Sequence, residues 1–152
     1  MKLLQCEIVT GERRVYAGEV AEVVAPAANG QVAIRPRHVP FLSALEPGEV
    51  RLVRPGQDDL ILAIGGGFME VRDDKVVILA DSAERADEID LERALRARQQ
   101  AEKLLQQKVN NVDFAKVEAA LRRSLARLKV AERVRTRGGR APGSGGKPES
   151  LE

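Results

Sequence analysis

Three consecutive glycines, Gly65-Gly66-Gly67, follow the apolar run Leu60 to Ile64. A strand that ends in bare backbone N–H groups is where a phosphate-binding loop could begin, provided a helix N-terminus comes next. Here Phe68-Met69-Glu70-Val71 comes next, then a polar turn, then Val76 to Leu79. That is strand chemistry, and no Gly-Lys-Ser/Thr ending is present. The glycines are expected instead to let a strand bend or bulge, or to let another backbone approach closely. Other reactive constellations are missing. One histidine, His38, cannot build a multi-histidine metal site. Cys6 alternates with Leu4 and Ile8, which places it in a core strand as a small apolar residue rather than as a nucleophile. The pairs Asp58-Asp59 and Asp73-Asp74 fall in expected hairpin turns, where Asp usually bonds its own backbone. The residue inventory therefore argues against an enzyme. Lys116, Arg122, Arg123, Arg127, Lys129, Arg133, Arg135, Arg137 and Arg140 are opposed only by Glu118 and Glu132. This run is either a solvated helix face or a basic helix that meets an acidic partner or nucleic acid.

The elements that carry these residues follow from periodicity. The chain has 152 residues, 43% of them hydrophobic, with 3% aromatics, a net charge of +2 and a single cysteine. A true core is within reach, stacking platforms are scarce and disulfides are excluded. The opening apolar run meets Glu7 too soon for a signal sequence, and no stretch approaches the ~20 apolar residues of a spanning helix. A soluble chain of a reducing compartment, able to dock on a membrane complex, is expected. Strand signals fill the first part: Leu4 to Ile8, Val15-Tyr16, Val20 to Ala25, a hairpin at Asn29-Gly30, Val32 to Ile34, Val50 to Val53, Leu60 to Ile64, Phe68 to Val71 and Val76 to Leu79. Pro36, Pro40 and Pro47 mark a loop-rich stretch between them. After about Ala86 the period changes. Leu91, Ala94, Leu95, Ala101, Leu104 and Leu105 recur at three and four, as do Phe114, Val117, Leu121, Leu125, Leu128 and Val134, which predicts two amphipathic helices capped by Asp90 and Asp113. Asn110-Asn111-Val112 is a short breaker, so the helices are antiparallel neighbours, with Leu91, Leu95 and Leu105 facing Leu121, Leu125 and Leu128. The expected class is α+β: an all-β sandwich or barrel over 1–86, a two-helix hairpin over 87–135 and a disordered Gly/Pro/Ser-rich tail over 136–152.

That order, together with the stretches "IRPRHVPFLSALEPGEVRL", "LAIGGGFMEVRDDKVVILAD", "AERADEIDLERA" and "DFAKVEAALRRSLARLKVAE", closely resembles the epsilon subunit of the F-type proton-translocating ATP synthase over nearly all of residues 2 to 135. The resemblance implies a non-catalytic rotor subunit of the central stalk, peripheral on the cytoplasmic face of a bacterial plasma membrane. Its sandwich would clamp the gamma subunit and rest on the ring of c subunits, and its hairpin would inhibit ATP hydrolysis by extending into the alpha/beta catalytic head. In this light the glycine triplet matches a structural Ser/Ala-Gly-Gly-Phe strand motif. The loop that commonly reads G-E-L-G-I-L-P-G-H in the family reads G-Q-V-A-I-R-P-R-H here, from Gly30 to His38. Gln31 thus replaces an acid and Arg35 and Arg37 are added charges, so Gln31, Arg35, Arg37 and His38 are the candidate contacts to gamma and the ring. Arg122, Arg133 and Arg135 are the candidate contacts to the head. Ile89 to Ala94 reads I-D-L-E-R-A, which matches a nucleotide-binding motif of some bacterial epsilons. By position it nominates Glu84, Asp90, Arg93, Arg123 and Arg127 for regulatory ATP; the competing reading is a helix cap at Asp90 with Ile89 stapled onto Ala94. No cofactor is required for the structural role. A nucleic-acid-binding protein with a basic helical arm is the main alternative, disfavoured by the scarce aromatics and modest net charge, and a small β-domain enzyme is the third.

Overall fold

A computed structural model describes residues 1–106 and 113–138, with side chains described as far as 133. Eight strands come first: β1 (Leu4–Val9), β2 (Arg14–Val20), β3 (Glu22–Ala27), β4 (Gly30–Ile34), β5 (Phe41–Val53), β6 (Leu60–Arg72), β7 (Lys75–Ala80) and β8 (Ala83–Arg85). A single 3-10 turn, Ala86–Glu88, leads to α1 (Leu91–Gln106) and α2 (Phe114–Gly138). The strands run β2-β1-β7-β6-β5-β3-β4 across the sheet, with β8 added to β6. Every pairing is antiparallel except β1 with β7. Val20 of one edge strand and Ile34 of the other share one buried cluster with Leu4, Ile8, Leu52, Leu62, Met69 and Ile78. Residues from opposite edges can meet only if the sheet folds over on itself, which makes it a β-sandwich.

Two long strands allow that folding. β6 runs unbroken through the glycine triplet, so the triplet is strand and not a strand-to-helix loop. Gly66 and Gly67 have φ of +99° and +142°, conformations that side chains resist. At Gly67 a Cβ would lie 2.8 Å from the Ala80 Cα and closer still to the Leu79 carbonyl oxygen. The triplet is also where β6 changes partner. Gly67 pairs with Ala80 of β7, whereas Ile64 pairs with Ala83 of β8.

β5 corrects one expectation, because the proline-marked stretch is strand from Phe41 onward and passes through Pro47. The register with β3 shifts between Val24 and Ala27, whose partners on β5 are Arg51 and Leu45. Pro47 pairs with Gly65 of β6 and falls, on its other side, in that irregular interval, where β3 makes no regular ladder with it. The β3–β4 hairpin is present, but its two loop residues are Ala28 and Asn29, and only Gly30 carries a positive φ (+119°). Asp73 and Asp74 form the β6–β7 turn with φ of +50° and +57°, the primed geometry that matches strand twist. β8 was not expected; three residues are too few to show a period.

The caps are as the sequence suggests. Asp90 Oδ1 accepts the Arg93 amide at 3.2 Å, and Asp113 Oδ1 accepts those of Ala115 and Lys116 at 3.1 and 3.3 Å. The Asn110-Asn111-Val112 breaker lies outside the described residues, as does the tail from 139. α2 itself continues to Gly138, past the expected start of the tail at 136. The helix seam differs from expectation. Leu128 is buried, but Leu125 is 45% exposed, and the buried positions are Ala94, Ala101, Ser124, Ala126, Leu128 and Val130. Val130 packs with Ile61 and Ala63 of β6 and with Ala86 and Ile89. Ser124 and Leu128 lie about 200° around the helix from Ala126 and Val130, on the side left for α1. α2 therefore buries two faces, one on the sandwich and one on α1, and Leu125 falls between them.

Candidate functional site: the hairpin on the sandwich

The basic residues of α2 meet carboxylates of the sandwich. Arg122 Nη2 donates to Glu46 Oε2 at 2.6 Å. Arg127 donates through Nε and Nη2 to Glu84 Oε2, at 3.1 and 3.0 Å. Arg133 pairs with Glu49, whose side chain is only 9% exposed and whose second oxygen, Oε2, has no hydrogen-bond partner among the described residues. Arg122 and Arg133 lie eleven residues apart, about three turns, and so share the helix face over β5, whereas Arg127 projects about 140° away, toward β8. Glu46 and Glu49 sit on β5 and Glu84 on β8. None of these three was singled out as a hairpin partner in the sequence except Glu84, which was nominated for a different role. No local signal marks Glu46 and Glu49, whose partners lie more than seventy residues away in sequence.

Of the nominated nucleotide contacts, the structure brings three together. Glu84, Arg123 and Arg127 line a crevice with Ala63, Ile64, Gly65 and Ser82, of about 10 Å³, which is room for a single water at most. A Cβ at Gly65 would crowd the Ser82 hydroxyl and lie 2.8 Å from Arg123 Cδ, so a larger residue there would have to displace these side chains. Asp90 and Arg93 do not line it; Asp90 is occupied as the α1 cap. A larger groove, about 340 Å³, opens beside it between Pro26, Gln31, Pro47, Gly48 and Glu49 of the sandwich and Arg122, Leu125 and Lys129 of α2.

The four loop candidates divide. Gln31 pairs with Pro26 in the β3–β4 ladder and faces the hairpin groove. Arg35, Arg37 and His38 lie at the far end of β4. Arg35 Nε donates to Glu22 Oε2 at 2.5 Å. His38 Nδ1 is 2.7 Å from the Val39 carbonyl oxygen, and its ring meets Phe41 edge-on at 5.8 Å. The Arg37 amide donates to Asp74 Oδ1 at 2.5 Å, and Lys2 Nζ stands 2.6 Å from Asp74 Oδ2. The Lys2 ammonium first, and then the Arg37 amide, hold the Asp74 carboxyl below its usual range. Arg135 lies outside the described side chains.

One surface was missed. Leu42, Phe68 and Leu79 are 72%, 58% and 56% exposed. Phe68 is directly opposite Ala44 on β5 and Leu79 on β7, so the three strands present one apolar strip. The period-two alternation with buried Met69 and Ile78 carried this signal. Cys6 is inert by comparison: burial, followed by the nearby Glu7 charge, pushes its thiol up to about 12. Among the described residues no helix is long and apolar enough to cross a membrane.

Comparison with known proteins agrees with this two-part arrangement. A family model described as ATP synthase, Delta/Epsilon chain, beta-sandwich domain matches residues 3–86. Another, described as ATP synthase, Delta/Epsilon chain, long alpha-helix domain, matches residues 87–132. The ATP synthase epsilon chain of Herpetosiphon aurantiacus is 51% identical over 134 residues, covering 88% of this chain and 98% of that one. The ATP synthase epsilon chain of Dehalococcoides mccartyi is 48% identical over 136 residues, covering 89% and 96%. The fold is shared with a chain in the cryo-EM structure of the Euglena gracilis mitochondrial ATP synthase (OSCP/F1/c-ring), at a TM-score of 0.74 and 23% identity over 86% of this chain and 81% of that one. With both domains matched in order and close relatives matched almost end to end, this chain belongs to the ATP synthase delta/epsilon chain family.

Proposed function

We propose that this chain works as the epsilon subunit of an F-type ATP synthase: a non-catalytic part of the central-stalk rotor that helps couple proton flow to ATP synthesis and restrains ATP hydrolysis through its helices. The observation that carries this reading is the build of the molecule. A sandwich with a deep core holds a helical hairpin largely through arginine–carboxylate pairs, a contact suited to being made and released. The apolar strip Ala44–Phe68–Leu79 is the surface for gamma, since exposed apolar patches on a folded domain mark docking sites. The end bearing Arg35, Arg37 and His38 faces the c-ring and keeps the chain peripheral to the cytoplasmic side of a bacterial plasma membrane. When the hairpin lets go of Glu46, Glu49 and Glu84, its arginines become available to the alpha/beta head.

ATP is a candidate regulator of that release. Arg123 and Arg127 suit phosphate, but with α2 docked the crevice is too small for it and Arg127 is committed to Glu84. Binding through these residues requires α2 to shift from β8. The nucleic-acid reading loses its main support, because Arg122, Arg127 and Arg133 turn toward carboxylates of their own sandwich. Reconstitution with gamma and the alpha/beta head tests the proposal. Co-purification with gamma and slowed hydrolysis are expected. A chain that binds no gamma and leaves hydrolysis unchanged removes this reading, and a salt-sensitive shift of generic DNA in the same preparation favours the alternative.

A further inference from the structure

The most unusual backbone position outside the glycines is Arg37. The chain turns at Arg35-Pro36-Arg37-His38, closed by the His38 amide donating to the Arg35 carbonyl oxygen at 3.2 Å. Pro36 occupies the second place, which fixes its φ, and Arg37 the third, with φ of +67°. The third place of such a turn normally takes Gly or Asn, because other L-residues crowd their own Cβ against the backbone. Asp73 and Asp74, the other non-glycine residues at positive φ among the described residues, have short polar side chains that tolerate this region. Arginine has no such compensation. The turn is held in place from outside, by Asp74 accepting the Arg37 amide and by Lys2 clamping Asp74. A strained residue kept in place by its surroundings points to a use for its side chain.

The charges around it indicate that use. Lys2 faces Asp74, Arg35 faces Glu22, Arg72 faces Asp73, and Lys75 and Arg14 face Glu7. Each of these cations has a carboxylate within the chain. Arg37 is exposed and forms no salt bridge among the described residues. Beside it in the chain, Val39 and Leu42 are 69% and 72% exposed. Its charge reaches Asp74, which Lys2 already holds, so an exposed guanidinium with no salt bridge at the edge of an exposed apolar pair fits a partner loop with an apolar tip and a carboxylate next to it, which an arginine fork can grip through two parallel bonds.

We infer that Arg37 is a docking residue that reads a carboxylate on the partner loop meeting residues 37–42, its charge being retained at the expense of the turn's own stability. This rests on the reading of that end as the ring-facing one, and it adds the chemistry of the partner: an acidic, apolar-tipped protein loop. The added charge at Arg37, which makes no salt bridge within the subunit among the described residues, is then matched across the interface.

Two substitutions separate charge from backbone. Arg37→Ala and Arg37→Gly both remove the guanidinium, but only glycine relaxes the turn. In the complex with gamma, assembled on the detergent-purified ring, both variants bind the ring about three- to tenfold more weakly than wild type. Their affinity also falls less steeply with salt. Arg37→Gly melts about 3 °C above Arg37→Ala, while both bind gamma as wild type does. Ring affinity that is unchanged in both variants overturns the inference, as does equal melting of the two. A wild-type chain that binds gamma but not the ring removes the underlying reading of that end. Equal loss of binding to ring-free vesicles of anionic lipid identifies headgroups as the partner and overturns the acidic-loop assignment.

Discussion

The sandwich and the hairpin are held by different physics. The sandwich buries large side chains completely: Leu4, Ile8, Ile34, Leu52, Leu62, Ile64, Met69 and Ile78 are at most 2% exposed. The hairpin buries mainly small ones, Ala94, Ala101, Ser124 and Ala126, with Leu128 and Val130 as its larger anchors. It meets the sandwich through Val130 on Ile61 and Ala63 and through three arginine–carboxylate pairs. Burial of large apolar side chains contributes roughly 1.5–3 kcal/mol each, whereas an exposed ion pair contributes about 0–1 kcal/mol. The first region is built to persist through every rotation of a stalk. The second is held by weaker contacts, so it is the part expected to yield first to a competing partner.

The largest expected effect tests the persistent half. Leu62→Ala removes a fully buried side chain of β6 and should cost about 2–5 kcal/mol, read as a lower midpoint in urea unfolding of the whole chain. Leu128→Ala should leave the main unfolding midpoint within experimental error and lower only the helical signal that melts first. Equal loss from the two substitutions breaks the comparison, because it makes hairpin and sandwich one cooperative unit. A chain ending at Asp87 sharpens the same point and should keep the sandwich midpoint and gamma binding.

Next comes the release of the hairpin. Glu46→Gln with Glu49→Gln weakens two of the three ion pairs without touching the arginines. The half-exposed Arg122–Glu46 pair is worth under about 1 kcal/mol, and the Arg133–Glu49 pair more, because the Glu49 side chain is only 9% exposed and its charge is poorly solvated. Hydrogen exchange in α2 should speed several-fold, and inhibition of hydrolysis in the reconstituted complex should deepen. Unaltered exchange shows that apolar contact with Ile61 and Ala63 holds the helix by itself.

Cys6 gives a kinetic check on the sandwich. With its thiol pushed up to about 12 by burial, an alkylating reagent at pH 8 should leave the native chain unlabelled for hours while labelling it promptly in urea. Rapid native labelling shows that β1 opens locally.

The smallest effect is acid sensitivity. Arg13 Nη2 donates to Glu88 Oε2 at 2.8 Å, tying the turn before β2 to the 3-10 turn that leads into the hairpin. The Arg13 guanidinium holds Glu88 below its usual range, as Lys2 does Asp74. Both carboxyls are depressed in the folded state, so their contribution is present above the ordinary carboxylate range and is lost as pH falls through their folded values. Melting temperature should be flat from pH 7 to 5 and drop slightly below pH 4, with Glu88→Gln flattening part of the drop. A rise in melting temperature below pH 4 contradicts the sign.

What the residues determine by themselves is local. Asp90 and Asp113 cap their helices because a carboxylate in that place accepts the free amides of the first turn whatever surrounds it. Asp73-Asp74 turns because Asp tolerates a positive φ. The order of strands and then helices, and the chain's family, follow from periods and motifs written along the chain. The tertiary structure decides whatever depends on a neighbour distant in sequence. Pro47 looks like a break until β5 is laid between β6 and β3, where it pairs with Gly65 and meets no regular ladder on the β3 side. Leu125 belongs to an apolar repeat, yet it is exposed because α2 must serve the sandwich and α1 on two faces and Leu125 lies between them. Arg122, Arg127 and Arg133 read as a basic face looking for a partner, and they found Glu46, Glu84 and Glu49, dozens of residues away in sequence. Charge along a chain is visible in one dimension, but which charges neutralise each other is settled only by distances of a few ångströms in three.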